Sequence, residues 1–476
     1  MNRTSDGAVV GRPDIRRGFG SEDRPVAGVL WSREVFRPDS PALTARGNLD
    51  PDNRNVDLRR YYDPEFARAE FEKVWIKTWL FACREEDIPN IGDRVPLHIG
   101  PLSWFVVRSG KDSFKAYHNS CLHRGTMLCT RSESAQSIRC PYHGWEWGID
   151  GRLMNIPNHW DFPKVTRSNA SLSEAKLGRW GGFIFINADP DAAPLEEALG
   201  VIPKHFEEFA PARRYTAARF RKQVNANWKI VQEAFQEAYH LFTTHPEAVP
   251  ITADAQTQYD VWAGEHGHVG RNASCSGTPS IHAPPDVTPF KATQMFAEAI
   301  RDWHYPGAEL PTIDPDGDLR AQLGAWHRAR IKQRYGRDTD IPDAMMMDSL
   351  LYFMFPHACF WLSESVPFTY QFTPHRTDPE KSYFEVRLLL PCPENGAPPP
   401  SAPNIEIGAD ESIYKMAPDF GFLGYVFDQD MSNLPRVQLG STAANPAYPR
   451  SRLGVYQEAI IQHWNAVLDD MIERGS

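Results

Sequence analysis

The chain has 476 residues, 41% hydrophobic and 12% aromatic, with fourteen tryptophans and a formal charge of −10. That length predicts two or three domains with a substantial core, and the acidic balance without a long Lys/Arg run argues against a nucleic-acid partner. No apolar run approaches a membrane span, and "MNRTSDGAVVGRPDIRRGFGSEDRP" lacks the apolar region of a secretory signal, which predicts a cytoplasmic protein.

Residues 1–58 are rich in Pro, Gly, Arg and Asp without periodicity and read as an extended or partly disordered arm. "DPEFARAEFEKVWIKTW" (63–79) follows an Asp-Pro start signal and sets Phe66, Phe71, Val74 and Trp75 toward one side of a helix. From Leu80 to about residue 188 come short β segments, among them "WFVVRS", "FKAYHNS", "SIRC" and "GGFIFINA", punctuated by Gly, Asp and Asn. With the leading helix this predicts a small all-β domain over 59–190. The remainder, 191–476, mixes helix and strand. "NWKIVQEAFQEAYHLFTTHPE" (227–247) starts helical, and two further helices are predicted at 288–303 and 317–335. "LLYFMFPHACFWLS", "PFTYQFTPHR" and "YFEVRLLLP" are strand candidates over 350–391, "PENGAPPPSAPN" is a loop, and helices close the chain at 410–434 and 453–473. Strands and helices without βαβ alternation predict an α+β fold.

Seven cysteines in this length do not make a disulfide framework. Cys83, Cys129, Cys275, Cys359 and Cys392 read as ordinary thiols. Cys121 and Cys140 are different, because each sits beside a histidine: Cys121-x-His123 and Cys140-x2-His143 are separated by sixteen residues. Thiolate and imidazole suit both zinc and iron–sulfur centres, and spacing alone leaves both open. Zinc fingers usually place a Cys pair first and a His pair later, whereas here each loop supplies one of each. That arrangement matches a [2Fe–2S] cluster with two Cys on one iron and two His on the other. Gly125 and Gly144 follow the histidines where the backbone must turn tightly.

"CLHRG" and "CPYHGWEW" resemble the two cluster loops of Rieske proteins. Respiratory Rieske proteins carry two extra cysteines that clip the loops; Thr126 and Tyr142 stand there in this chain, so the resemblance is to the oxygenase and ferredoxin branch. Further on, Glu237-x2-His240-x4-His245 lies in "NWKIVQEAFQEAYHLFTTHPE". Alone, it reads equally as a helix with a solvated Glu and two ordinary histidines. Glu237 and His240, three apart, share a helix face; His245 is off it, so the helix must bulge or end between them, aided by Thr243, Thr244 and Pro246. Two histidines and a carboxylate make the facial triad of non-haem Fe(II) oxygenases. With the Rieske loops upstream, this stretch resembles the "NWK…E-N-F…D/E-x-x-H-x4-H" signature of Rieske non-haem iron oxygenase α subunits. The chain departs from it at Ala234, where Asn is common, and at Glu237, where Asp is.

The resemblance implies the rest. "YVFDQDMSNLPRVQLGST" is similar to an "E-D-x7-Q-x-G" element; aligned on Gln438 and Gly440 it makes Asp430 the third iron ligand, with Asp428 its rival. It implies an N-terminal all-β Rieske domain and an antiparallel-sheet catalytic domain flanked by helices, helix-grip or START-like; the resemblance is thin over about 250–347, which reads as an insertion placed to cap the site. Its cofactors are a [2Fe–2S] cluster on Cys121, His123, Cys140 and His143 and a mononuclear Fe(II) on His240, His245 and Asp430. Electrons come from NAD(P)H through a separate reductase, sometimes with a ferredoxin. It implies an α3 or α3β3 assembly in which Glu237 links His240 to His143 of the next subunit. The expected activity is O2-dependent mono- or cis-dihydroxylation of a small hydrophobic, ring-containing substrate, with Phe235, Phe242, Phe353, Phe355 and Phe360 as candidate pocket walls. The alternatives are an N- or O-demethylase or quaternary-amine monooxygenase of the same family, a Rieske electron-transfer protein, and a zinc-stabilised binding module.

Overall fold

Arg214–Val224 alternates buried and half-buried residues along its whole length, the pattern of a strand that meets a different environment on each face. It belongs to an eight-stranded sheet in the order Gln258–Ala263, His268–Ser274, Ser349–Met354, Ala358–Trp361, Phe368–Pro374, Ser382–Pro391, Arg214–Val224, Ile405–Ile407. All pairings are antiparallel except the last. On one face Phe220, Tyr370, Phe372 and Phe384 pack under Phe235 and Phe427, carried by helices Trp228–Phe235 and Gly421–Thr442. The computed structural model describes residues 27–49 and 55–474.

The opposite face of this sheet meets an all-β unit. Its seven strands run Leu80–Arg84, Phe183–Asn187, Glu174–Trp180, Phe114–His118, Leu102–Arg108, Asp93–Ile99, Glu133–Ser134, and a three-stranded sheet, Ser137–Arg139, Glu146–Gly148, Leu153–Asn155, accompanies them. The seam is mixed. Phe360 packs on Phe81 and Phe183, Gln371 Nε2 donates to the Phe81 carbonyl at 2.6 Å, and Arg387 and Arg219 meet the buried Asp87 at 2.7 and 3.1 Å. The fold is α+β, as the element pattern predicts. Among the described residues no helix is long and apolar enough to cross a membrane.

Several expectations change in detail. Of the arm, residues 1–26 and 50–54 lie outside the described residues, but 27–49 are built into the catalytic sheet's edge. Two short helices, Ala27–Trp31 and Pro41–Thr44, are held by Trp31 Nε1 donating to Asp348 at 2.8 Å, Gly28 N–H to Gln258 at 3.0 Å and Gly47 N–H to Asp260 at 2.8 Å. The expected helix over 63–79 is α only over Pro64–Glu70 and continues as a π-helical turn, Phe71–Trp75. It bridges the two units: Glu70 pairs with Lys229 of the catalytic domain at 2.8 Å, and Lys77, past the π turn, pairs with Asp189 beside the all-β unit at 3.0 Å. The 250–347 segment is not a separate cap: Gln258–Ala263 and His268–Ser274 are strands of the main sheet, and helices Pro289–His304 and Leu319–Tyr335 follow. The expected 350–363 strand is two strands, Ser349–Met354 and Ala358–Trp361, and the helix expected over 410–434 is a short Ile413–Met416 turn and then Gly421–Thr442.

Candidate metal centres

The two Cys/His loops have the same backbone design. Cys121 N–H donates to Thr126 O and Gly125 N–H to Cys121 O, both at 2.8 Å; Cys140 N–H donates to Trp145 O at 2.8 Å and Gly144 N–H to Cys140 O at 3.1 Å. Gly125 and Gly144 close the turns at φ +75° and +74°, which a side chain would resist. The turns aim the His123 and Arg124 N–H groups at the Cys121 sulfur, and those of Tyr142 and His143 at the Cys140 sulfur. The thiols are 3% and 2% exposed, while His143 is at the surface and His123 half-buried. The two Nδ1 atoms converge at 3.1 Å, and Trp145 stacks parallel on His123 at 5.2 Å. Burial pushes both thiols up. Cys121 stays above its ordinary value, whereas at Cys140 the Tyr142 and His143 amides, with Cys121 and Thr126, outweigh burial and bring it below. Two sulfurs on the buried side, two imidazole nitrogens on the outer side and amide donors around the sulfurs fit a [2Fe–2S] group.

The second centre is built on helix Trp228–Phe235. Asn227 caps it, accepting from Lys229 N–H at 3.0 Å, and the Asn227 backbone N–H donates to Gln438 Oε1 at 2.9 Å. Lys229 reaches Glu70, and Glu233, whose carboxyl burial pushes up, is held by Tyr61 Oη at 2.8 Å and Asn465 Nδ2 at 3.0 Å. These bonds give Asn227, Lys229 and Glu233 a positioning role.

The helix ends one turn earlier than expected. Gln236–His240 are non-helical and Leu241–Thr244 forms a separate turn. Glu237 and His240 therefore do not share a regular helix face. The Glu237 carboxylate bridges the break instead, accepting from His240 N–H at 3.0 Å and lying 2.5 Å from His240 Nδ1. A side-chain acceptor that serves the backbone competes with the helix, as at caps. His245 ends the next turn at φ −124° and ψ 64°, and its ring returns to within 5.2 Å of the His240 ring.

Helix Gly421–Thr442 brings the carboxylate. Asp430 Oδ1 lies 3.0 Å from His245 Nε2 and 3.5 Å from His240 Nε2. Ligand atoms of His240, His245 and Asp430 lie within 4.8 Å of one another, the one such group among the described residues. Asp428 is turned away: it accepts from Ser412 Oγ at 2.5 Å and from the Ile413 and Tyr414 N–H groups at 2.7 and 3.2 Å. Gln429, which sequence reasoning missed, places Oε1 2.8 Å from His245 Nδ1. Burial pushes His240 down, but Asp430 and Glu237 outweigh it and hold the imidazole up at about 10. His245 is raised in the same way by Asp430, and Asp430, pushed up by burial, is brought net downward by the two imidazoles. The raised imidazoles hold protons that a divalent cation would displace on binding, whereas Asp430 is favoured as the carboxylate a metal needs. Two imidazoles and one carboxylate, each imidazole's far nitrogen held by an acceptor, fit mononuclear iron.

Of the expected wall residues, Phe235 packs on Tyr370 at 5.2 Å and Phe384 at 5.0 Å beneath this centre. Phe242 is half-exposed and stacks on His282 at 4.5 Å. Phe353, Phe355 and Phe360 do not line the site: the first two pack on Trp464 and the third on the all-β unit. Tyr370 packs with Phe235 and with Phe427 at 5.9 Å in the core below the helices.

Residues 206–474 match the family described as Ring hydroxylating alpha subunit (catalytic domain), and residues 78–166 the Rieske [2Fe-2S] domain. Among curated relatives, the carnitine monooxygenase oxygenase subunit of Escherichia coli (strain K12) is 30% identical over 218 residues, 44% of this chain and 58% of that protein. The anthranilate 1,2-dioxygenase large subunit of Acinetobacter baylyi is 32% identical over 196 residues, 39% of this chain and 41% of that protein. Both alignments thus span less than two thirds of the relative. Among solved structures, a quaternary ammonium Rieske monooxygenase in complex with L-carnitine superposes with a TM-score of 0.57 at 18% identity, covering 88% of this chain and 96% of its own. Naphthalene 1,2-dioxygenase from Rhodococcus sp. bound to indole gives 0.56 at 20% identity, covering 89% and 95%. At these identities the superpositions speak for the fold.

Proposed function

The chain belongs to the ring-hydroxylating α-subunit family and carries a Rieske [2Fe–2S] domain, and from this premise we propose that it is the terminal oxygenase of a multicomponent system. Electrons from NAD(P)H reach it through a separate reductase, with or without a ferredoxin. Cys121, His123, Cys140 and His143 hold the cluster; His240, His245 and Asp430 hold the iron. The observation that carries the reading is the convergence of a carboxylate and two imidazoles on one point in a chain that also has the paired Cys/His loops. A pure electron carrier has no use for the second set.

Held by these residues, the cluster would supply electron storage and the iron the site of O2 reduction and hydroxylation. Two electrons and two protons balance either outcome: one oxygen atom to substrate and one to water, or both atoms to an arene as a cis-diol. The chain's residues orient and insulate. Glu237 accepts the His240 Nδ1–H, leaving Nε2 free as a ligand atom, and its remaining lone pairs can accept a second imidazole N–H. The surface position of His143 suits it to be that donor, from a neighbouring subunit of an α3 or α3β3 assembly. Phe235, Tyr370, Phe384 and Phe427 pack as one buried aromatic cluster; a substrate beside the iron would meet it as an aromatic wall that excludes water and favours a hydrophobic ring compound. A second reading, quaternary-amine monooxygenation, draws on the same wall, because aromatic faces also attract a quaternary ammonium, and on the similarity to the carnitine monooxygenase subunit.

Iron and sulfide analysis with a visible spectrum tests the centres: about three irons and two sulfides per chain are expected, and colourless zinc protein overturns the reading. Product analysis with a surrogate reductase over arenes, steroids, terpenoids and quaternary amines tests the substrate: hydroxylated ring products support the first reading, and aldehyde release from an amine the second.

A further inference from the structure

We propose that Gln429 is a positioning residue for the mononuclear metal: its amide oxygen accepts the His245 Nδ1–H and locks that imidazole in the tautomer whose Nε2 lone pair faces the metal. The inference rests on the reading of His245 and Asp430 as ligands. Gln429 Oε1 lies 2.8 Å from His245 Nδ1, and the next residue on the same helix, Asp430, has Oδ1 3.0 Å from Nε2 of the same ring. Consecutive side chains therefore grip both edges of one imidazole. A neutral imidazole carries one N–H, and the acceptor it finds decides which nitrogen bears it. Without Oε1, the favoured site for that proton is Nε2, facing the Asp430 carboxylate, where it competes with a metal ion.

Among the described residues, Gln429 and Asp430 are the polar side chains that hold this ring. His245 lies at the end of a four-residue turn, outside helical geometry. The two imidazoles are also backed unequally. His240 leans on a carboxylate at 2.5 Å, a charge-assisted bond roughly twice as strong as a neutral one, whereas His245 leans on an amide. His245 is the weaker arm of the site, and Gln429 sets how weak.

The test uses purified protein with its cluster intact, the mononuclear metal removed by chelation and Co(II) supplied as the probe, with bound metal counted after equilibrium dialysis. Gln429→Leu, apolar and without an acceptor, is expected to raise the Co(II) dissociation constant about 10–100-fold while the visible cluster spectrum stays unchanged. Gln429→Glu, which restores an acceptor, is expected to bind within roughly threefold of the parent or tighter. Parent-like binding by Gln429→Leu overturns the proposal, as does equally weak binding by both variants, which marks a packing role. His245→Ala and Asp430→Ala separate the two levels: if they lose Co(II) while Gln429→Leu keeps it, only this inference falls. If they too retain it, the ligand assignment falls with it.

Discussion

Replacing Lys229 by Met isolates a buried charge at the foot of helix Trp228–Phe235, which leads into His240 and His245. Lys229 and Glu70 are each 2% exposed and 2.8 Å apart, and Trp228 Nε1 also faces Glu70 at 3.4 Å. Removing the ammonium leaves the carboxylate without a counter-charge in a dry site, which costs about 3–5 kcal/mol. Met itself suits the space, because Lys229 Nζ lies 5.2 Å from the Phe66 and Trp228 rings and a thioether packs well on aromatics. The loss is therefore electrostatic rather than steric. A unit the size of the catalytic domain, with about 2.1 cal/mol/K of unfolding entropy per residue, converts it into a Tm drop of roughly 5–9 °C. Differential scanning calorimetry at fixed iron content measures it. The paired variant Glu70→Leu with Lys229→Met removes both charges and is expected to recover most of the loss. A single variant with an unshifted Tm, or a pair as unstable as the single, refutes the reasoning.

Asp430→Ala is expected to lower iron by about one per chain with the visible cluster spectrum retained, whereas Asp428→Ala keeps the iron and costs about 1 kcal/mol by freeing the Ile413 and Tyr414 N–H groups that open the Ile413–Met416 turn; metal analysis and thermal melts separate them, and iron loss in Asp428→Ala exchanges their roles. Glu237→Ala is expected to keep the cluster spectrum while substrate-coupled NAD(P)H and O2 consumption falls about 10–100-fold; unchanged turnover removes Glu237 from the pathway. Burial pushes His304, His327 and His357 down to about 3, 4 and 4. A depressed histidine stabilises the fold fully above its ordinary value near 6.5, and this contribution is lost as pH falls toward 4, at about 3 kcal/mol for each. Tm scans should fall steeply over that window and less so in His357→Leu; a flat profile contradicts it.

The chemistry-bearing residues were more legible than the backbone that carries them. Cys121, His123, Cys140 and His143 are readable because metal ligands need particular atoms at short spacing. Asp430 was placed only through a pattern aligned on Gln438 and Gly440, and the bond from Asn227 N–H to Gln438 gives that pattern a physical reason, since it ties the helix that leads into His240 and His245 to the helix that carries Asp430. The break at Gln236–His240 was misplaced because the local sequence is helical and the competing acceptor is Glu237 itself. The π turn at Phe71–Trp75 and the amide of Gln429 left no sequence signal, since both are set by what packs against them. The helices at 27–31 and 41–44 were missed for the same reason: segments this short owe their form to tertiary contacts rather than propensity.

That N-terminal segment has a consequence during synthesis. Its Trp31–Asp348 bond joins residues 317 apart in sequence, and Gly28 waits for Gln258. At about 5–20 residues per second, the ribosome needs roughly 15–60 s to deliver Asp348 after Trp31. Throughout that interval the tryptophan has no berth. An early segment of the chain is thus among the last to be seated: residues 27–49 dock only once the far edge of the catalytic sheet has been made.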